Sequence, residues 1–322
     1  MSRAGCLRAA TGVLALAGAA ALVGCGGGPA ASTGTSEAES GRPGPERVVL
    51  EASGGGVPLA RSAVERFAET DPTVPATLGG SPGEGLRALC RGRIDLYIGP
   101  APGRRSCPRS GARLERLPVA TEGAVVVANP ALPIGCMTVT ELRRLWRPGS
   151  TVVHYSDLDP RLPNQTAHLY APGPGTGPFA LFTERLVGRL GATRTDYRVS
   201  VDQGALLQAA AADEGALGYL GFSLVDQNPD KVRGVAIDAG DGCVRPSRET
   251  IQSGRYAPLS RPVVVSVRAR ALERPAVRDF IRFVVDNNPV IGESAQLVPM
   301  DGDQSAAARE RLDAATAGPA RQ

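Results

Sequence analysis

Apolar runs alternate with amphipathic segments along most of this chain. Residues 47–52 and 263–267 are short and valine-containing, which predicts strands, and the unbroken apolar run 123–128 is typical of a strand covered on both faces. Other apolar residues recur at helical spacing, and Pro58 suits the first position of a helix. Strands that alternate with such helices predict an α/β fold. Two apolar stripes have this helical spacing: the first is Leu59, Ala60, Ala63, Val64, Phe67 and Ala68, and the second is Val277, Phe280, Ile281, Val284 and Val285.

The N-terminus has the parts of a secretory signal. Arg3 and Arg8 precede an apolar stretch over residues 13–23 that is too short to span a bilayer as a mature helix. The run LVGC, which ends at Cys25, resembles the lipobox of bacterial lipoproteins, in which the cysteine thiol takes a diacylglycerol and becomes the new N-terminus. We therefore predict a signal peptide over residues 1–24 and lipidation of Cys25. The alternative is an ordinary secretory signal followed by an unrelated cysteine.

The two ends of the mature chain differ in composition from its body. Residues 26–46 contain no large apolar side chain and cannot bury enough surface to fold. Together with the lipidated cysteine they form a predicted tether over residues 25–46, and the folded body begins near Arg47. Residues 311–322 are predicted to be a disordered tail.

The charge balance argues against nucleic-acid binding. The formal net charge is +4, and it falls to +2 when Arg3 and Arg8 leave with the signal. No basic cluster that could follow a phosphate backbone remains, so a nucleic-acid partner is not expected.

The cysteines indicate disulfides in an oxidising location. Cys6 leaves with the signal and Cys25 is lipidated, so an even set remains, for which three pairings are possible. A zinc site is disfavoured because no C-x-x-C spacing occurs and only His154 and His168 could assist, so no metal and no cofactor is expected. The remaining set is Cys90, Cys107, Cys136 and Cys243.

Several motifs in shared order resemble one known family. They are Phe67 nine residues after Pro58, LCRGRIDL at 89–96, LPVATEG at 117–123, VVANP at 126–130, LRRLW at 142–146, GALGY at 215–219 and YAPLSRPV at 256–263. In this order they are similar to the PstS-type phosphate-binding lipoproteins of ABC phosphate importers. The resemblance implies a two-lobed periplasmic-binding-protein fold of type II, with a hinge and an interlobe cleft. Its implied lobes are residues 47–129 with 259–310, and residues 130–258.

The resemblance also implies which cysteines form disulfide bonds and which residues bind the ligand. Pairing Cys90 with Cys107 and Cys136 with Cys243 would keep each disulfide inside one lobe. The ligand would lie where three glycine-rich loops precede helices, because backbone N–H groups and the helix dipole stabilise an oxyanion. These loops are residues 53–57, 80–85 and 173–178. Taken singly, each loop could merely be a turn. The candidate ligand-binding residues are Ser53, Gly54, Gly55, Ser81, Gly83, Thr176 and Gly177.

Some side chains that the resemblance implies are absent. Gly54 and Gly55 stand where hydroxyls are expected, and Ile98, Pro100 and Ala101 replace an acidic or amide acceptor, a serine and an arginine. Arg104 and Arg105, a few residues further on, could reach the cleft in place of that arginine, but exposed arginines in a loop are more often only solvated. The sequence therefore predicts a pocket rich in N–H donors and poor in acceptors. Such a pocket would bind oxyanions weakly and prefer phosphate over sulfate only slightly.

An enzymatic reading is disfavoured. Residues 79–83 (GGSPG) match the G-x-S-x-G nucleophile elbow, but Pro82 has no N–H to give to an oxyanion hole, and Ser81 with Glu84 also fits a capping box. Two hypotheses remain. The first is a monomeric, lipid-anchored, extracytoplasmic protein that delivers phosphate or a related oxyanion to an ABC permease and ATPase complex. The second is a non-transport relative that acts as a ligand sensor or a protein-interaction module.

Overall fold

The structure, a computed structural model, describes most of the body of the chain. Cys25, the tether, Ser81, Gly83 and the Arg104–Arg105 pair of the sequence analysis lie outside the described residues. Within them, no helix is long and apolar enough to cross a membrane. The described residues are 47–72, 76–78, 84–103, 107 and 110–317.

Strands and helices alternate through the body, which confirms the α/β prediction. The strands are β1 (Val48–Ala52), β2 (Ala76–Leu78), β3 (Leu96–Pro100), β4 (Leu114–Ala128), β5 (Cys136–Thr138), β6 (His168–Pro172), β7 (Arg198–Ser200), β8 (Ala216–Gly221), β9 (Arg233–Gly234), β10 (Ala236–Asp238), β11 (Cys243–Val244), β12 (Ser260–Arg268) and β13 (Val298–Pro299).

The helices follow the strands closely in the chain. Short 3-10 helices cover Tyr155–Asp157 and Ala269–Glu273, and a π-helical segment covers Thr183–Val187. The α-helices are α1 (Gly56–Thr70), α2 (Gly85–Arg91), α3 (Val139–Trp146), α4 (Gly177–Phe182), α5 (Gln203–Ala211), α6 (Phe222–Asp226), α7 (Arg248–Gln252), α8 (Pro275–Asp286), α9 (Asn288–Ser294) and α10 (Gly302–Thr316).

The long strand β4 connects the two halves of the main sheet. The strand order is β2-β1-β3-β12-β4-β8-β6-β7, with β9 and β13 also paired to β4. β4 is antiparallel to β12 over Leu114–Gly123 and antiparallel to β8 over Ala124–Ala128. It therefore changes its partner between Gly123 and Ala124. A smaller sheet has the order β11-β10-β5.

Two large hydrophobic cores lie on either side of this change of partner. The first core contains the predicted stripes of α1 and α8, including Phe67 and Phe280, whose ring centroids are 5.1 Å apart. The second core is built around Trp146, Phe182 and Tyr219 and includes Val125. The sequence analysis assigned residues 124–128 to the first lobe, but they pack in the second core because their strand pairs there with β8.

Both predicted disulfides are present. Cys90 bonds to Cys107, 17 residues away, and Cys136 bonds to Cys243, 107 residues away. The second bond joins β5 to β11 at opposite edges of the small sheet. The pairing that the family resemblance implied is confirmed.

The C-terminal segment corrects one prediction. The disordered tail predicted over residues 311–322 is wrong as far as Thr316, because α10 continues to that residue. Asp301 caps the helix by accepting from the backbone N–H of Gln304 at 2.8 Å. Ala308 and Leu312 are buried against the first core. These small and widely spaced contacts give the sequence little apolar periodicity, which is why the pattern did not predict the helix.

Candidate functional site

Two of the predicted glycine-rich loops connect a parallel strand to a helix. Residues 53–55 connect β1 to α1, and residues 173–176 connect β6 to α4. Ligands of α/β proteins commonly bind at the carboxyl ends of parallel strands. Each of these loops lies at such an end, so the topology alone makes them candidates.

Internal hydrogen bonds occupy the hydroxyls of both loops. The Ser53 hydroxyl lies 2.5 Å from the Tyr97 hydroxyl. The Thr176 hydroxyl donates to the Gly173 carbonyl at 2.9 Å and accepts from the Phe179 N–H at 3.4 Å, which caps α4. Thr176 therefore supports its own loop.

The two loops meet at a buried glutamate of β4. A Cβ placed on Gly55 would lie 2.7 Å from Glu122 Oε1, and a Cβ on Gly177 would lie 2.1 Å from the same oxygen and 3.1 Å from the Gly55 nitrogen. Neither position has room for a side chain. Glycine at both loops thus allows the backbones of the two loops to close on the carboxylate.

Glu122 belongs to a three-membered charge cluster. Arg261 stands directly opposite Glu122 in the antiparallel register of β4 and β12, and its Nε donates to Glu122 Oε2 at 2.8 Å. Its Nη1 donates to Glu184 Oε2 at 2.6 Å. The Glu122 and Arg261 side chains are 3% and 4% exposed, whereas Glu184 is 51% exposed. A buried cation here lies against one buried and one accessible carboxylate.

Burial raises the pKa of Glu122 above its ordinary value. Arg261 opposes this increase through its charge and its hydrogen bond, Glu184 adds to it, and the Gly55 backbone lowers the pKa slightly. Among the described residues, no donor forms a well-aligned hydrogen bond with Glu122 Oε1, although the Gly55 backbone N–H lies close enough to the carboxylate to lower its pKa. The second carboxylate oxygen is therefore buried and unpaired, which is unfavourable unless a ligand supplies a hydrogen.

A cavity of about 370 Å³ lies beside this cluster. Its wall includes both glycine-rich loops, the start of α5 and the residues that follow α9. Among the described residues that line it, Glu122 is the one with a charged side chain. The lining residues are Gly54, Gly55, Val57, Pro58, Glu122, Gly123, Gly175, Thr176, Gly177, Pro178, Gln203, Gly221, Ser294, Ala295, Gln296 and Leu297.

The structure brings together four of the predicted ligand-binding residues. Gly54, Gly55, Thr176 and Gly177 line the cavity, whereas Ser53 lies next to it and is not part of the wall. Ser81 and Gly83 stand outside the described residues, so their roles remain predictions.

The prediction of an acceptor-poor pocket is wrong. Glu122 lines the cavity and supplies the carboxylate that Ile98, Pro100 and Ala101 lack. The available signal was a glutamate in the apolar strand 117–128 and an arginine beside the valine run of β12. Buried charges in strands usually need partners, and that reasoning could have linked Glu122 with Arg261.

The histidines do not contribute to this site. His168 Nδ1 lies 2.8 Å from an Asp213 carboxylate oxygen, and His154 forms a β-bridge with Thr166. Within the part of the chain that the structure describes, no group of His, Cys, Asp and Glu side chains could hold a metal ion.

The known proteins that this chain is similar to in sequence include SphX and PstS proteins. The chain is 34% identical to Protein SphX of Synechocystis sp. over 226 residues, which cover 68% of this chain and 67% of the relative. It is 25% identical to the phosphate-binding protein PstS of Staphylococcus saprophyticus over 305 residues, with 92% and 91% covered. The resemblance to PstS-type proteins is thereby confirmed.

Solved structures agree with these relatives. The crystal structure of a possible phosphate binding protein from Planctomyces limnophilus superposes with a TM-score of 0.77 at 29% identity, covering 84% of this chain and 98% of that protein. The family profile described as PBP superfamily domain matches residues 31–288. A match over most of the length, together with the two cores and the cavity between the loops, shows that this chain belongs to the PBP superfamily.

Proposed function

We propose that this protein is an extracytoplasmic solute-binding lipoprotein that captures phosphate for an ABC importer. The observation that carries the proposal is Glu122 Oε1, a buried carboxylate oxygen that faces the two glycine-rich loops without a donor among the described residues. The phosphate-binding protein PstS of Staphylococcus saprophyticus and the possible phosphate binding protein of Planctomyces limnophilus support the choice of anion.

Hydrogen phosphate matches the chemistry of this cavity. Its O–H group can donate to Glu122 Oε1 and satisfy the unpaired acceptor. Its charged oxygens can accept from backbone N–H groups of the loops at Gly55 and Gly177, and the loop at Gly55 leads into the 15-residue helix α1. Arg261, which donates to Glu122, supplies positive charge next to the cavity wall at Gly54.

Sulfate fits the same cavity less well. It carries no proton near neutral pH, so one of its oxygens would face Glu122 Oε1 without a hydrogen between them. Two buried acceptors in contact are strongly unfavourable. The site should therefore prefer phosphate over sulfate more strongly than the slight preference expected from the sequence.

A lipid anchor would keep the protein at the membrane that holds the importer. In our proposal Cys25 is lipidated, and residues 26–46 let the body move above the membrane and meet the permease and ATPase complex as a monomer. The two disulfides suit an oxidising extracytoplasmic compartment.

Isothermal titration of the mature full-length protein in detergent tests the ligand. Phosphate should release heat and saturate one site, sulfate should bind at least about tenfold more weakly, and uptake of labelled phosphate should fall in cells without the gene. Equal affinities for both anions would contradict the role of Glu122.

A second candidate function is favoured by one observation. Within the described part of the chain, internal bonds occupy the hydroxyls of Ser53 and Thr176, so their two loops offer fewer free hydroxyl donors than the family resemblance implies. The absence of heat with any oxyanion would support the non-transport reading, in which the protein acts as a sensor or a protein-interaction module.

A further inference from the structure

The guanidinium of Arg261 faces three different segments. Nε donates to Glu122 on β4, Nη1 donates to Glu184 in the π-helical segment after α4, and Nη2 lies 3.1 Å from where a Cβ on Gly54 would stand. One edge of the guanidinium therefore faces the first glycine-rich loop, and another faces a carboxylate from the region of the second core. The side chain as a whole is 4% exposed.

The two carboxylates bonded to Arg261, those of Glu122 and Glu184, differ in how easily they can break their contact with it. Glu122 is 3% exposed and stands opposite Arg261 in the sheet register, so it cannot move away without disrupting β4 and β12. Glu184 is 51% exposed, and its carboxylate can exchange its contact with Arg261 for water. An accessible partner of a buried cation is the one that an incoming anion can replace.

We propose that Glu184 is an internal competitor of the ligand, a carboxylate that holds Arg261 Nη1 when the cleft is empty and gives it up when an oxyanion binds. This inference rests on the phosphate-binding function proposed above and deepens it. Glu184 thereby sets the affinity of the site.

Electrostatics supports the exchange. Arg261 carries one positive charge against two carboxylates, so the cluster has no spare cation for a third negative group. The charge of Glu184 also contributes to raising the pKa of both Glu122 and Tyr97, which bonds to Ser53 of the first loop. The field of Glu184 thus reaches both Glu122 in the cavity wall and Tyr97 beside the loop at Ser53, and removing Glu184 from Arg261 relieves the repulsion of the ligand.

The test compares phosphate affinity in three variants of the full-length mature protein. Glu184→Gln keeps the shape of the side chain but loses its charge, and it should bind phosphate about 2- to 5-fold more tightly than wild type. Glu184→Asp keeps the charge but shortens the side chain by one methylene, and it should also bind more tightly, by about twofold or more.

Asp196→Asn is the matched control. Asp196 is 67% exposed and pairs at 2.6 Å with Arg194, which is 8% exposed, so this pair has the same arrangement but does not involve Arg261. This variant should keep wild-type affinity. Thermal unfolding without ligand checks that all three variants are folded.

Each outcome decides the inference. Weaker or unchanged binding in Glu184→Gln would overturn it, because Glu184 would then close the cleft or play no part. Tighter phosphate binding in Glu184→Gln together with wild-type affinity in Glu184→Asp would mean that Glu184 only repels the anion at a distance. That result would also overturn direct competition for Arg261. If wild type binds phosphate and neither variant of Glu184 binds it more tightly, only this inference fails. If neither wild type nor Glu184→Gln binds phosphate, the proposed function fails as well.

Discussion

Gly177 stands so close to Glu122 that a Cβ on the glycine would lie 2.1 Å from Glu122 Oε1. The glutamate cannot give way easily, because its other oxygen is bonded to the buried Arg261. Position 177, where the loop at residues 173–176 enters α4, therefore requires glycine for a steric reason. The same contact places this loop against the charge cluster of Glu122, Arg261 and Glu184.

Gly177→Ala should abolish tight phosphate binding. The new methyl group would overlap Glu122 Oε1 and crowd the Gly55 backbone, so the loops could not close on the carboxylate. We expect at least a tenfold loss of affinity and about 1–3 kcal/mol of lost stability from overpacking. Isothermal titration and urea unfolding measure the two effects. Gly135→Ala is the control, because its Cβ would meet nothing within 4 Å; equal affinities in the two variants would contradict the steric argument.

Glu122→Gln should reduce the discrimination between phosphate and sulfate. The amide has nearly the same shape, but it can offer an N–H to a sulfate oxygen and is a weaker acceptor for the phosphate O–H. Loss of a charge-assisted hydrogen bond predicts about a 10- to 100-fold decrease in phosphate affinity, with sulfate affinity unchanged or increased. A variant that keeps the wild-type ratio of the two affinities would show that the anion does not touch Glu122.

The binding of sulfate should depend on pH. Burial raises the pKa of Glu122, so the protonated carboxyl, which can donate to a sulfate oxygen, becomes populated at a higher pH than usual. Sulfate affinity should therefore rise by up to about tenfold per pH unit as pH falls toward the raised pKa, and level off below it. Glu122→Gln should remove this dependence, and a flat wild-type profile between about pH 5 and 8 would contradict it.

The same raised pKa affects folding stability. Because the folded protein binds the Glu122 proton more tightly than the unfolded chain, this stabilisation is fully present below the usual pKa of 4.5 and is lost as pH rises through the folded pKa. The free energy of unfolding of wild type minus that of Glu122→Gln should decrease over this range in urea titrations.

The two disulfides should differ in their contribution to stability. Cys136 and Cys243 close a loop of 107 residues, whereas Cys90 and Cys107 close one of 17. The chain-entropy model predicts about 4.7 kcal/mol for the longer loop and about 3 kcal/mol for the shorter one. Urea unfolding of the two double Cys→Ser variants measures the difference, and a larger loss from the Cys90–Cys107 pair would contradict the prediction.

Cys25→Ala should prevent lipidation of the precursor. In the proposed lipoprotein the thiol of Cys25 in the LVGC run is the acceptor, so the variant should stay uncleaved or be mislocalised. Labelling of cells with a radioactive fatty acid should mark wild type but not the variant. Label retained in the variant would show that the anchor lies elsewhere.

Local patterns in the sequence determined much of the fold. Apolar periodicity predicted β1, α1, β12 and α8, because a buried strand or helix face leaves a repeating signal in neighbouring residues. The glycine-rich loops were visible for the same reason, since a strand-to-helix connection is a local feature. The disulfide pairing needed the family resemblance as well, because four cysteines alone allow three pairings.

Only the tertiary structure decided the composition of the site. Glu122 and Arg261 are 139 residues apart and meet because β4 and β12 pair in an antiparallel register, while Glu184 is 77 residues from Arg261 and arrives from the other core. No local pattern records such a contact: each charged residue in isolation interrupts an apolar strand or lies on an exposed helical turn. The sequence alone therefore predicted an anion site without an acceptor, whereas the folded chain places a buried carboxylate in the wall of the cavity.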